Sequence, residues 1–390
     1  MRNIMYKQSN INKIRYKRIL AISFLLFLII LVFLNFIIKP KEFSDSENRM
    51  LTQSPKFSID GLFEGRFIKK YEKYKSDQFV FRDMWINIKS TIDKVSGKKE
   101  NNGVYLSRDK YLIENFKKPN NDYVNQNINA INKFSKIHKD IKGYAMVVPN
   151  AVSIMKDKLP KFAPSANQRD YINSFKSKLS SDIKFIDTFD ILSNHNGEYL
   201  YYRTDHHWTT LGAYYSYLEA CKIMNLKANS KDNYSIERIS NNFYGTLSSK
   251  SSFNVHKPDV VDVYIPKSSD DEVIVNYVKE KKKEGTLYDS ESLKKKDKYT
   301  VFLEGNHPIV KINTTSKNNK KLLLIKDSYA NSFVQFLTTH YSEIIMIDPR
   351  YYYDDIENLV KSEGITDLLY VYNANTFFQD SSLAQVLNNE

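Results

Sequence analysis

Ile19 to Ile38 is an unbroken run of 20 residues without a charge, in which only Ser23 and Asn35 are polar. As a helix it covers roughly 30 Å, the thickness of a bilayer's hydrocarbon layer. Six basic residues precede it (Arg2, Lys7, Lys13, Arg15, Lys17 and Arg18) and no acidic residue does. Basic flanks stay on the cytoplasmic side, so residues 1–18 are expected to be a cytoplasmic tail and 19–38 a transmembrane anchor. The rest of the chain then lies outside the cytoplasm, held to the cell membrane by a single pass. A cleaved signal peptide is the competing reading. The run is longer than a typical signal core, and Lys39-Pro40-Lys41 offers no small-residue cleavage site. A retained anchor is expected.

That tail changes what the net charge means. Of the formal +13, six charges precede the apolar run, which leaves +7 for everything beyond residue 38. The runs Lys281 to Lys283 and Lys294 to Lys296 have acidic neighbours and no interleaved aromatics. They read as solvated faces, and no nucleic-acid partner is expected. The single cysteine, Cys221, excludes an internal disulfide and sits among apolar residues of a helical pattern, as a buried inert thiol would.

Residues 39–133 read as a tether followed by a helical region. Lys39 to Pro55 is polar and aperiodic, whereas from 57 to 95 Phe67, Tyr71, Tyr74, Phe79, Trp85, Ile88 and Ile92 recur near helical spacing. Gly103 to Leu106 and Tyr111 to Glu114 flank Arg108-Asp109-Lys110 as a short hairpin, and 122–138 is helical by pattern. In residues 134–390 short apolar runs alternate with helical segments. The predicted strands are Gly143 to Val148, Ile183 to Phe189, 321–326, Ile344 to Ile347 and Leu368 to Tyr372; the helices are 166–180, Thr210 to Met224, 329–339 and 354–362. This alternation predicts an α/β fold, a doubly wound parallel sheet covered on both faces. Residues 229–320 break the rhythm. They are polar, with β-like pieces at Val260 to Ile265, Glu272 to Val278 and Tyr299 to Leu303, and read as an inserted β-containing segment.

Ligands in such sheets sit beyond the carboxyl ends of the strands. Asn150, Asn373, Ser328 and the pair Asp205/His207 all lie just past strand ends or in a connecting loop. Ser328 follows the apolar run Leu322 to Ile325 and precedes a helix, where its hydroxyl would lie near backbone N–H groups able to stabilise an oxyanion. A serine there serves equally well as an N-cap. Asp205 and His207, two apart, would share a side if the segment is extended, with the carboxylate orienting the imidazole as base for Ser328. Trp208 would pack beside that ring and limit water. His206 would face the other way, and no other histidine has paired spacing, so no metal or other cofactor is expected. The alternative for the pair is a helix start in which Asp205 or Thr209 caps and the histidines are incidental. Tyr199 to Tyr202 and Tyr351 to Tyr353 offer either a sugar-stacking platform or half-buried packing.

The segment Asp205-His206-His207-Trp208 resembles the signature of the DHHW protein family of Gram-positive bacteria. Its D-x-H-W core is also similar to that of periplasmic alginate O-acetyltransferases, whose domain is SGNH-hydrolase-like. Lys326-Asp327-Ser328-Tyr329 resembles the G-D-S-F/Y nucleophile block with Lys326 in place of Gly. Ser-Glu-Asn-Arg at 46–49, Ser76-Asp77-Gln78-Phe79 and Arg82-Asp83 resemble the family's N-terminal portion. The resemblance implies a circularly permuted SGNH-like domain, because the Asp/His half precedes the serine block. It implies Asp205, His207 and Ser328 as catalytic residues and Asn373 as the oxyanion-hole residue, with Asn375 as its alternative. Both asparagines are equally natural turn residues after a strand. Arg350 would contact an anionic sugar or simply lie on the surface. The implied activity is extracytoplasmic transfer of an acetyl group, through a serine ester, to a cell-surface polysaccharide. The implied acetyl donor is a multi-pass membrane-bound O-acyltransferase. A carbohydrate esterase with the same triad and a non-catalytic wall-polymer binding or scaffold protein are the alternatives.

Overall fold

Arg2–Ile37 form one helix, and its stretch Asn12–Ile37 is long and apolar enough to cross a membrane. The computed structural model describes residues 2–44, 47, 49–253, 255, 257–267 and 272–389, the side chains of 2–11 excepted. Ser46 and Asn48 of the Ser-Glu-Asn-Arg block, and His256, lie outside the described residues. The chain divides into two compact units, Met1–Asp93 and Lys94–Glu390. In the first, Asn35 accepts a hydrogen bond from the Val80 N–H at 3.1 Å. Arg49 grips Asp77 with two bonds of 3.0 and 2.6 Å. The helical stretch expected over 57–95 is three helices, Ile59–Phe63, Arg66–Asp77 and Arg82–Val95. Gly65 (φ 71°) and Phe81 (φ 56°) take left-handed backbone at the two breaks.

The second unit is built on an eight-stranded sheet. Its strands are β1 (Lys142–Val148), β2 (Ile183–Phe185), β3 (Val273–Tyr277), β4 (Lys282–Glu284), β5 (Ile309–Thr314), β6 (Lys321–Lys326), β7 (Glu343–Ile347) and β8 (Asp367–Asn373). They lie in the order β4-β3-β5-β7-β6-β8-β1-β2. The five expected strands, β7, β6, β8, β1 and β2, are mutually parallel. Every residue of β8 is buried, as is every residue of β6 after Lys321, so both faces of the sheet are covered at its centre. Thr210–Met224 is helical as expected, capped by the Thr209 side chain and ended at Asn225 (φ 53°), with Cys221 buried.

The stretch 229–320 is more than an appendage. It supplies β3, β4 and β5, which extend the sheet antiparallel from β7. Tyr234–Phe243 pairs with Asp259–Pro266 in a separate two-stranded sheet. Tyr299 to Leu303 is not a strand. Asp297 accepts from the Tyr299 N–H at 3.2 Å and starts a 3-10 turn over Lys298–Val301 instead.

From β6 the chain crosses to β7 on one side, then returns to β8 on the other. The strand order therefore reverses between β6 and β8, which opens a crevice beyond their carboxyl ends. Ser328 follows β6, and Asn373 ends β8.

Candidate active site

Asp327 and Ser328 turn β6 into the helix Tyr329–Phe333. The cap comes from Asp327, whose Oδ1 accepts the Tyr329 N–H at 2.9 Å. Its Oδ2 accepts from the Asn373 N–H (2.8 Å) and Nδ2 (2.6 Å), which ties β6 to β8. Ser328 makes no side-chain cap bond. Its Oγ lies 2.7 Å from Nε2 of His207 instead.

Residues 203–207 are not extended. They form a tight loop closed by the Tyr201–Trp208 bridge and a 3.2 Å bond from the Tyr202 N–H to the His207 carbonyl. In that loop Asp205 Oδ1 accepts from the backbone N–H of His207 (3.0 Å) and lies 2.5 Å from its Nδ1. Oδ2 accepts from the N–H (2.7 Å) and hydroxyl (2.9 Å) of Thr246. The helix cap at 209 is Thr209, so Asp205 is free for this role. With Nδ1–H given to Asp205, Nε2 is left to accept the Ser328 proton. Burial opposes ionisation of Asp205, but His206, His207 and the bonds from His207 and Thr246 outweigh it and hold the carboxyl well below its usual range. Burial, helped by the charge of His206 and opposed by Asp205, pushes His207 down to about 4. The resting pair is thus a carboxylate and a neutral imidazole, the state a general base requires.

His206 does not face away. Its ring lies 3.9 Å from that of His207, centroid to centroid, and its Nδ1 lies 2.7 Å from Thr246 Oγ1. One ligand atom from each of Asp205, His206 and His207 falls within 4.8 Å of the others, a spacing compatible with a metal ion. The Asp205–His207 and His206–Thr246 contacts already occupy the carboxylate and both Nδ1 atoms. That arrangement favours a hydrogen-bonded triad.

Trp208 is fully buried away from the imidazole. Its Nε1–H donates to the Tyr329 carbonyl and Ser332 Oγ, both at 3.0 Å. The expected cover is supplied by Tyr299, stacked on His207 at 3.7 Å and 10°. Its hydroxyl donates to the Ser328 carbonyl at 2.9 Å. Sequence spacing carried no signal for Tyr299 or Thr246. Gly245 was also missed, although a glycine beside a polar loop is a detectable sign of close approach: a Cβ there would meet Asp205 Cβ at 2.2 Å.

Beside the triad lies a cleft of about 550 Å³, whose lining includes Glu114, His206, Thr246, Arg350, Asn373 and Asn375. Asn150 sits behind it, bonding Asn373 Oδ1 (3.2 Å) and the Asn375 N–H (3.0 Å). Asn375 reaches Glu114 at 3.1 Å. Arg350 is held by Asp348 through bonds of 2.8 and 2.6 Å. Tyr201 and Tyr202 are buried, and among the described residues no tyrosine lines the cleft, so no stacking platform forms there. Lys326, in place of glycine, is buried with its Nζ 2.9 Å from Asn331 Oδ1 and 3.5 Å from Asp348.

The family model described as DHHW protein matches residues 102–347. The chain belongs to the DHHW family. The matched region contains Asp205, His207 and Ser328, whereas Asn373 and Asn375 lie beyond it. A DHHW family protein from Eubacterium siraeum is 29% identical, with a TM-score of 0.64 over 75% of this chain and 96% of its own. Bacillus cereus PatB1, solved with a sulfonyl adduct, is 21% identical, with a TM-score of 0.61 over 72% of this chain and 98% of its own. The second likeness is one of fold. No curated protein matches this DHHW sequence.

Proposed function

We propose that this DHHW protein is a membrane-anchored O-acetyltransferase working outside the cytoplasm, which carries acetyl on Ser328 and passes it to a hydroxyl of a cell-surface polysaccharide. One observation carries the reading. Ser328 Oγ, His207 and Asp205 form a continuous hydrogen-bonded chain of 2.7 and 2.5 Å at the strand-order reversal. In the first half-reaction His207 Nε2 takes the Ser328 proton as the Oγ–acetyl bond forms, then returns it to the departing donor. In the second, Nε2 takes the proton of the sugar hydroxyl as that oxygen attacks the ester carbonyl, then gives it to Oγ as the Ser328 bond breaks. The oxyanion donors we assign are the Ser328 N–H and the Asn373 side chain, with Asn375 as second candidate. Asn373 lines the cleft, and Asp327 holds its amide in the resting site. Arg350, also on the cleft, would meet an anionic sugar group.

We also read the parallel sheet as a circularly permuted SGNH-like core. Counted from β6, the order β7-β6-β8-β1-β2 runs 2-1-3-4-5, the order of flavodoxin-like sheets, with the last two strands supplied from earlier in the chain. The apolar run Ile19–Ile38 would keep the catalytic unit beside its acetyl donor, a multi-pass membrane-bound O-acyltransferase.

A fluorophosphonate probe tests the nucleophile. The parent protein is expected to label and Ser328→Ala not to. A folded parent that never labels would make this a non-catalytic binding protein. Deleting the gene should lower acetylation of the surface polymer, whereas a rise would indicate an esterase.

A further inference from the structure

The triad leaves one histidine of the signature unused. His206 is about a third exposed and lines the cleft, and its backbone is pinned by the Tyr329 hydroxyl, which donates to its carbonyl at 2.6 Å. Thr246 settles which nitrogen faces outward. Its hydroxyl has one proton, which goes to the ionised Asp205 Oδ2 at 2.9 Å. The 2.7 Å contact between Thr246 Oγ1 and His206 Nδ1 must then run the other way, with Nδ1–H donating. In the neutral ring this leaves Nε2 as a bare acceptor, and it has no partner among the described residues. Asp205 thus holds two imidazoles in the same tautomer, His207 directly and His206 through Thr246.

The cleft that His206 borders is lined mainly by residues with polar side chains. Its lining joins side-chain amides such as Asn373 and Asn375 to charged groups of both signs, among them Glu114, Asp380 and Arg350, and among the described residues Leu247 is its only large aliphatic. At about 550 Å³ it falls in the ~300–1,000 Å³ range of small-molecule sites. Its lining suits a ligand with many hydroxyls better than an acyl chain. With its ring centroid 3.9 Å from that of the general base and tilted by 37°, His206 can present an acceptor atom to a hydroxyl next to the one His207 deprotonates.

We infer that His206 Nε2 and this cleft form the acceptor-sugar subsite, with His206 accepting a hydrogen bond from a sugar hydroxyl adjacent to the reacting one. The inference rests on the acetyltransferase reading and adds to it where the acceptor sits and which residue selects it. The acetylated intermediate has two fates, transfer to sugar and hydrolysis by water, and both use His207. Only transfer uses the His206 acceptor, whereas the influence of His206 on the ionisation of His207 falls on both fates alike.

The experiment loads the full-length protein with p-nitrophenyl acetate and offers base-deacetylated cell-surface polysaccharide as acceptor. His206→Asn keeps a donor for Thr246 but removes the outward acceptor. The ratio of transfer to hydrolysis is expected to fall about tenfold, through the acceptor's KM, as when a site loses one hydrogen bond to a substrate hydroxyl. His206→Gln, whose carbonyl oxygen can stand in for Nε2, should recover part of that ratio. A proportional fall in transfer and hydrolysis, or an unchanged ratio in both variants, would overturn the assignment. If the parent protein forms an ester but transfers nothing, this inference falls together with the transferase reading. If Ser328 forms no ester, the triad reading falls first.

Discussion

Gly245 occupies a place where no side chain fits. A Cβ added there would lie 2.2 Å from Asp205 Cβ, 2.4 Å from Oδ2 and 2.7 Å from Cγ. Non-bonded carbons are comfortable near 3.5–4.0 Å, so Gly245→Ala demands a shift of ~1.3 Å or more. Either Asp205 moves, or the 245–246 backbone does. Both movements break the bonds from the Thr246 N–H and hydroxyl to Oδ2. The backbone itself is no obstacle, since Gly245 has φ −84° and ψ −170°, open to any residue. The loss is steric alone. A displacement of ~1 Å in a catalytic constellation costs about 100-fold in rate. The second-order rate constant for fluorophosphonate labelling of Ser328 is therefore expected to fall ~100-fold. Overpacking should lower stability by about 1–3 kcal/mol, read from denaturant unfolding. Gly197→Ala, with no atom within 4 Å of the new Cβ, is the control and should change neither quantity. Labelling of Gly245→Ala at the parental rate, with unchanged stability, would refute the idea that Asp205 must stand against this loop to orient His207.

Since His207 is pushed down to about 4, it stays neutral over the range where an ordinary histidine titrates. The labelling rate should be flat from neutrality to about pH 5 and decline as pH drops through about 4; an inflection near 6.5 would contradict this. His340, also pushed down to about 4 by burial, acts with His207 on stability. The unfolded chain binds the extra protons, so stability should fall as pH drops from about 6.5 towards 4, as followed by thermal unfolding. Tyr299→Phe removes the bond to the Ser328 carbonyl and should cost ~1 kcal/mol with only a few-fold loss of labelling, whereas Tyr299→Ala also strips the ring from His207 and should cost ~3–5 kcal/mol. Asp348→Ala leaves buried Lys326 and Arg350 without their carboxylate and is expected to cost ~3–5 kcal/mol in denaturant unfolding. Lys326→Met, which leaves Asp348 paired with Arg350, should be milder, and the reverse ranking would refute the pairing.

The parallel half of the sheet was legible because its strands are buried on both faces and read as short runs such as Leu322 to Ile325, separated by helices with clear periods. β5 and β4 were not: Ile309–Thr314 is an interior strand whose short apolar run is broken by Lys311, and Lys282–Glu284 is a charged antiparallel edge strand that looks like loop. Asp205, His207 and Ser328 could be named because each sits in a local signature, a charged turn or a strand end before a helix. Their geometry could not. The assumption of an extended 205–207 segment placed His206 on the far side, and the loop closed at Tyr201–Trp208 puts it beside His207 instead.

What stayed hidden is what the stretch 229–320 does for the site. Periodicity treats it as an interruption, because its function lies in long-range contacts that no spacing rule encodes. Yet Gly245 makes room for Asp205, Thr246 bonds its second oxygen, and Tyr299 covers the imidazole. The same stretch supplies three strands of the main sheet. Excising it would leave β7 as an exposed hydrophobic edge and Asp205 Oδ2 buried without its partners. The triad therefore depends on a segment that contributes none of its three members. Under the proposed mechanism, selection at 205, 207 and 328 extends to residues 245, 246 and 299.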